Sequence, residues 1–298
     1  NEIDAHFSNA KKALFLTGAR QVGKTYSIRK YAKLHGLNLI EFNFLLQPEA
    51  MDIINGAGDV KELLLRISAY SRVPLVRSKT LIFFDEVQEC PDVMTWVKAL
   101  VDEGSYIYAL SGSLLGVELK DIRSVPVGYM SEMQVYPMDF EEFVSAVGVP
   151  ENVLDAVKKS WSEKTLVDAY IHEKMMQLFQ LYIIVGGMPA AVQTYIDSNN
   201  IQNVVKEQRD IINLYKKDIA RYDQDVRKKL YINEVFDLIP SELNAKNKRF
   251  ILKRLNENMT FGRHENDFIW LKDADMALPT YNVEEPVSPL KLSEQRNL

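Results

Sequence analysis

A doubly wound α/β fold on a parallel sheet, followed by a helical segment and a small mixed module, is what this 298-residue sequence predicts. Three observations carry it. The apolar run Ala13-Leu14-Phe15-Leu16 feeds directly into Gly18-Ala19-Arg20-Gln21-Val22-Gly23-Lys24-Thr25, a glycine-bounded turn that opens a helix. About sixty positions later, Leu81-Ile82-Phe83-Phe84 ends in the acids Asp85-Glu86. Strand-like runs also recur at 13–17, 39–44, 80–84, 106–110 and 133–136 with helical stretches between them, the rhythm of parallel strands joined by crossover helices.

The turn fits G-x-x-x-x-G-K-[ST], a pattern whose chemistry suits a polyphosphate. Amide N–H groups at a helix start, with the positive end of its dipole, supply many oriented donors. Gly18 and Gly23 permit the tight wrap and the close approach of main chain to phosphate oxygens. Lys24 then stands as a point charge on the β- and γ-phosphates, and the Thr25 hydroxyl ligates Mg²⁺. The plainer reading is a glycine turn with a surface lysine. The second motif weighs against it.

A strand apolar on both faces is what a helix-covered parallel sheet needs, and ligands gather beyond the carboxyl ends of such strands. Asp85 is therefore assigned to Mg²⁺, directly or through water, and Glu86 to polarising the attacking water. Alone, the two acids would equally suit the first turn of the next helix. Downstream, Tyr106-Ile107-Tyr108-Ala109-Leu110 ends in Ser111-Gly112-Ser113. Ser113, or else Ser111, is placed to sense the γ-phosphate, although Ser-Gly-Ser is also ordinary loop chemistry. Right-handed crossovers put the turn, the acids and the serines on one rim.

These motifs, with Leu114-Leu115-Gly116, Tyr136-Pro137-Met138-Asp139-Phe140-Glu141-Glu142-Phe143 and Gly186-Gly187-Met188-Pro189, resemble prokaryotic AAA-type P-loop ATPases that carry a C-terminal domain of unknown function. The resemblance spans most of the chain and extends to signal-transduction ATPases. It implies an additional-strand core in which the serine-bearing strand separates the loop strand from the acid-bearing one. It further implies that a proline after the core touches adenine; Gly187 and Pro189 match that pattern. The cofactor-binding set for ATP is accordingly Gly18, Ala19, Arg20, Gln21, Val22, Gly23, Lys24, Thr25, Tyr26 and Pro189; Thr25 and Asp85 hold Mg²⁺; Glu86, Lys24 and Ser113 are the catalytic candidates. Many relatives have Gly-Arg before the last core strand, where this chain reads Val127-Gly128-Tyr129-Met130. Arg123 is the nearest substitute, and a solvated loop cation describes it better than an arginine finger.

The domain organisation expected is a core over 1–145, a helical lid over 146–225 and a winged-helix-like module with a tail over 226–298. In the lid, Ile171, Met175, Leu178, Phe179 and Tyr182 recur at threes and fours up to the Gly186-Gly187 stop, and the next helix starts at Pro189. That stripe reads as core rather than a partner groove. Between Arg221 and Arg254 cations outnumber acids, with Arg227-Lys228-Lys229, Lys246, Lys248, Arg249, Lys253 and Arg254 among apolar positions. This is either a DNA-facing surface or a solvated cationic face with protein contacts; the overall charge of −5 favours the second. Asp267-Phe268-Ile269-Trp270-Leu271 reads as strand-like, and Glu284 to Leu298 as a linker.

Composition agrees with an ordinary globular protein, 47% hydrophobic and 26% charged. The mostly apolar stretch near Leu178 to Val192 is broken by Gly186, Gly187 and Pro189, so no bilayer span is expected. No basic-then-apolar leader is apparent, although a start at Asn1 rather than methionine leaves a trimmed leader open. The single Cys90 excludes an internal disulfide, suits a reducing cytoplasm and reads as a packing residue. His6, His35, His172 and His264 lack zinc-site spacing, which leaves Mg²⁺ as the metal expected. Three functions compete: an ATPase whose turnover resets a switch acting on a protein partner or DNA, a P-loop kinase for a small molecule, and a non-hydrolysing ATP-binding module. The acid pair favours water as nucleophile and so the first. Oligomerisation stays open.

Overall fold

A computed structural model describes residues 2–9, 11–113, 128–222, 226–245, 261–288, 290 and 294–295. They fall into two compact units, one within residues 1–211 and the other within 212–298.

The first unit opens with helix α1 (Glu2–Asn9), strand β1 (Ala13–Thr17) and helix α2 (Lys24–Leu34), then β2 (Asn38–Asn43), α3 (Met51–Asn55) and α4 (Val60–Tyr70). Next come β3 (Thr80–Asp85), α5 (Val93–Glu103), β4 (Ile107–Ser111) and β5 (Met130–Gln134). Among the described residues the strands form one parallel sheet in the order β2-β3-β4-β1-β5, so the serine-bearing strand does separate the loop strand from the acid-bearing one. Burial follows that order. The inner strands β1 and β3 are buried at every position, whereas the edge strand β2 hides only Ile40 and Phe42. A sheet covered on both faces needs apolar residues on both sides of its inner strands, which is why 13–16 and 81–84 read as unbroken apolar runs.

One face of the sheet presents Leu14, Leu16, Leu81, Phe83 and Ala109 to Ile3 of α1 and to Ile28 and Tyr31 of α2. On the other, Phe84 stacks on Phe42 and Phe44, and Phe42 on Tyr70 of α4. The last strand begins at Met130 rather than Met133, because its ladder with β1 pairs Ala13 with Met130 and Thr17 with Gln134. Its half-buried pattern is that of an edge strand, where apolar content marks the limits poorly.

Beyond the sheet the chain is helical: α6 (Phe140–Ala146), α7 (Glu151–Glu163), α8 (Ala169–Val185), α9 (Pro189–Ser198) and α10 (Ile201–Tyr222). Asp139 and Glu142 close α6 with reciprocal side-chain to backbone bonds, a capping box. Gly186 caps the end of α8 and Pro189 is the first residue of α9, as the sequence predicts. Phe143, Val144, Leu154, Val185, Ala191, Val192 and Val204 form the lid core, with Met175, Leu178 and Tyr182 of the α8 stripe packed against it. Among the described residues no single helix is long and apolar enough to cross a membrane; α8 and α9 pass that test only together, as a pair bent by 118°.

The second unit holds the end of α10, α11 (Val226–Asn244), α12 (Phe261–Asp273) and the two-residue strands β6 (Asn282–Val283) and β7 (Glu294–Gln295), paired antiparallel. Among the described residues this unit is therefore helices followed by a small antiparallel ribbon. Two expectations are corrected here. Asp267–Leu271 is helical, not a strand: Asp267, Trp270, Leu271 and Ala274 are the buried positions, a spacing of three and four. The tail is not simply a linker, because Glu294 and Gln295 return to pair with β6. Arg123, Lys246, Lys248, Arg249, Lys253 and Arg254 lie outside the described residues.

Candidate nucleotide site

The carboxyl ends of β1, β3 and β4 converge with the start of α2. Between β1 and α2 the chain turns through Gly18, with φ +133°, Gln21, with φ +64°, and Gly23, with φ +98°. Left-handed residues in a turn that opens a helix are the kind of backbone from which an anion nest of amide N–H groups is made. Gly18 is required for a second reason. A Cβ there would sit 2.2 Å from the carbonyl oxygen of Val135, so only glycine lets β1 turn so close to the chain after β5.

Lys24 is buried. Its Nζ donates to the carbonyl oxygens of Gly18 at 2.9 Å and Ala19 at 2.7 Å, holding the ammonium inside the loop it starts from. Thr25 Oγ1 donates to Oδ2 of Asp85 at 2.9 Å, a bond that joins the loop to the acid strand across 60 positions. Asp85 is 1% exposed. Its Oδ2 also accepts from Nδ2 of Asn43 at 2.9 Å, and its Oδ1 accepts from the Ser111 hydroxyl. Burial pushes the Asp85 carboxyl above its ordinary value; the Ser111 and Thr25 bonds pull it back, and Glu86 and Glu41 add repulsion.

Glu86, the next residue, has φ +57° and ψ +50°, a left-handed conformation that costs a non-glycine residue about 1 kcal/mol or more. Oε2 of Glu86 accepts from Nε2 of Gln88 and, at 3.3 Å, from the Ser113 hydroxyl, while Nε of Arg20 donates to Ser113 Oγ at 3.3 Å. The two serines thus divide the acids between them, Ser111 on Asp85 and Ser113 on Glu86.

From the lid side, Pro189 reaches the loop: its Cγ is 3.8 Å from where a Gly23 Cβ would stand. Its position is set by Gly187, whose carbonyl accepts from the Met138 amide at 2.7 Å, and by Tyr182, whose hydroxyl donates to the Met138 carbonyl at 2.8 Å. Ala19 and Val22 are buried and Gln21 is exposed. Tyr26 is exposed as well, with Lys30 Nζ 5.9 Å from its ring centroid. Asn43, Gln88 and the Arg20–Ser113 link were not anticipated. For Asn43 a signal existed, since it ends a strand parallel to β3 and a parallel register sets strand ends side by side.

The fold and the rim together define an α/β P-loop domain, followed in the chain by helices. Residues 10–144 match the family model described as an AAA domain, and residues 176–295 match that of a domain of unknown function. The two matches follow one another in the order that the resemblance implied. No curated protein matches it. Among solved structures it is similar to PCH-2 of C. elegans, with a TM-score of 0.38 and 14% identity over 68% of this chain and 62% of that one. It is also similar to Drosophila ORC bound to DNA, at 0.38 and 13% over 90% and 77%, and to the Aeropyrum pernix ORC1 protein in complex with DNA, at 0.32 and 16% over 96% and 82%. The chain thus spans less than two thirds of the PCH-2 structure.

Proposed function

We propose that the AAA domain binds ATP with Mg²⁺ and hydrolyses it, and that turnover works a switch on a partner protein or DNA. The observation that carries this reading is the bond from Thr25 Oγ1 to Asp85 Oδ2, which brings a hydroxyl and a carboxylate, both hard oxygen ligands, together beside an amide-lined loop. A magnesium ion held there by Thr25 and Asp85 would neutralise charge on the β- and γ-phosphates. The loop from Gly18 to Thr25, with Tyr26 beyond it, and Lys24 grip the phosphates, and Pro189 bears on the adenine. Ser113 contacts the γ-phosphate.

Glu86 orients a water in line with the γ-phosphorus and accepts its proton. The water oxygen bonds to phosphorus as the bond to the β–γ bridging oxygen breaks, so ADP, inorganic phosphate and one proton leave. In the reading adopted here the core spans 1–145, the lid 146–225 and the partner module 226–298. A lid contacting adenine through Pro189 has different contacts with and without nucleotide, which is what a switch requires. The partner is reached through the cationic C-terminal module, in the cytoplasm, with self-association a further route of control.

Phosphate release by the wild type and by Glu86→Gln, with and without DNA, tests the reading. The variant is expected to keep ATP affinity and to lose about 10²–10⁴-fold in turnover, the usual contribution of a positioned base. Unchanged release would remove Glu86 from the chemistry. ATP binding without release in the wild type would leave a binding module instead of an enzyme.

A further inference from the structure

We propose that Asn43 is a positioning residue for Asp85, fixing the direction in which that carboxylate meets a divalent cation; the inference rests on the assignment of Asp85 to Mg²⁺ made above. The register supplies the placement. Strands β2 and β3 run parallel with Asn43 directly opposite Asp85, so both side chains emerge at the same rim. Nδ2 of Asn43 donates to Oδ2 of Asp85 at 2.9 Å, the same oxygen that accepts from Thr25.

The orientation of the Asn43 amide follows from its other neighbour. Oδ1 accepts from the backbone amide of Leu46 at 2.9 Å. Reversing the amide would set N–H against N–H on one side and oxygen against carboxylate on the other, so only one orientation satisfies both partners. Asn43 is itself held. Its carbonyl accepts from the amides of Leu46 at 3.2 Å and Gln47 at 2.8 Å, and its amide donates to Oε1 of Gln47 at 3.4 Å. The amide of Phe44 donates to the Asp85 carbonyl at 3.2 Å, which ties the same turn to the acid strand by backbone too.

Asp85 thus has a donor on each side. Ser111 holds Oδ1, and Asn43 and Thr25 share Oδ2. A Thr25 lone pair can take a metal while its proton stays on Oδ2, and Asn43 is the second donor that keeps that oxygen in place whichever way the hydroxyl turns. Partners of this kind, which touch a ligand rather than the metal, commonly govern metal affinity.

The test is ATP binding by titration calorimetry, in EDTA and across a magnesium series, for the wild type, Asn43→Ala, Asp85→Asn and the double variant. Asn43→Ala is expected to raise the magnesium concentration for half-maximal binding about 10–100-fold while leaving affinity in EDTA unchanged. In the Asp85→Asn background the same change is expected to have no further effect on magnesium dependence. If Asn43 only shapes its turn, affinity falls equally in EDTA and magnesium and in both backgrounds, and the proposal is overturned. An unaltered magnesium dependence overturns it as well. Should Asn43→Ala fail to fold, Asn43→Ser, whose hydroxyl still accepts from Leu46 but is too short to reach Oδ2, carries the same comparison. A wild type that binds no ATP sinks the nucleotide reading itself and this inference with it, whereas magnesium-dependent wild-type binding with an unaffected Asn43→Ala sinks this inference alone.

Discussion

Replacing Gly187 by alanine tests whether the lid is locked to the core through a single close approach. A Cβ on Gly187 would stand 2.1 Å from the carbonyl oxygen of Met138 and 3.0 Å from its nitrogen, and backbone atoms cannot swing aside as a side chain can. Ordinary contact requires about 1 Å more, so the turn from 186 to 189 must lift away from Met138. Lifting it stretches the bond from the Met138 amide to the Gly187 carbonyl, now 2.7 Å, beyond useful length. Overpacking costs about 1–3 kcal/mol and the lost hydrogen bond about 1 kcal/mol, so a total near 2–4 kcal/mol is expected. For a unit of this size that lowers the melting temperature by about 4–16 °C. Pro189 begins the next helix two residues on and moves with the turn, away from the phosphate loop. With Pro189 bearing on adenine as proposed, a displacement of that order should slow hydrolysis by about 10²-fold. Thermal unfolding followed by circular dichroism, with phosphate release on the same preparation, measures both quantities. A variant that melts and turns over like the wild type would show that this contact does not couple lid to core.

Two further outcomes follow from the buried titratable groups. Because burial raises the Asp85 carboxyl, the folded protein keeps a proton that the unfolded chain releases between the ordinary and the raised value; stability therefore falls as pH rises through that window and stays lower above it. Asp85→Asn, which has no proton to lose there, should not show that fall, so its melting temperature relative to wild type should rise as pH passes up through the window. Melting curves across pH decide it, and a difference between variant and wild type that does not change with pH refutes the argument. Cys90 is buried, and burial pushes its thiol up to about 11, so an alkylating reagent at pH 8 should label it only after unfolding. Rapid labelling of the native protein, read by mass spectrometry, would contradict that.

What the sequence made legible was whatever depends on local pattern. The runs at 13–16 and 81–84 must be apolar on both faces because helices cover both sides of their strands, and that demand is visible without coordinates. The stop at Gly186 and the start at Pro189 were legible for a similar reason, since each residue type is favoured at that helix position by its backbone alone. Asp267–Leu271 misled because its aromatic and β-branched content outweighed a spacing that becomes decisive only when Ala274 is counted with it. The return of Glu294 and Gln295 to β6 was invisible because a pairing of two residues with two leaves no periodicity to read. Asn43 was missed through attention to motifs rather than to register, although a parallel sheet sets the carboxyl ends of adjacent strands together.

The sheet order also explains a residue choice that motif reading left undecided. Strands in a sheet lie about 4.8 Å apart, so β1 and β3, with β4 between them, are about 10 Å apart, too far for Thr25 and Asp85 to meet beside a bulky neighbour. Thr25, in the first turn of α2, meets Asp85 at 2.9 Å, and the strand between β1 and β3 ends in Ser111 and continues into Gly112 and Ser113, all small residues. The same hydroxyls fill the hydrogen-bonding needs of the acids, Ser111 on Asp85 and Ser113 on Glu86. Small, hydroxyl-bearing residues at this strand end therefore suit its place between the loop and the acid. That fit holds before any contact with a phosphate is considered, and a phosphate-sensing role for Ser113 would be an addition to it.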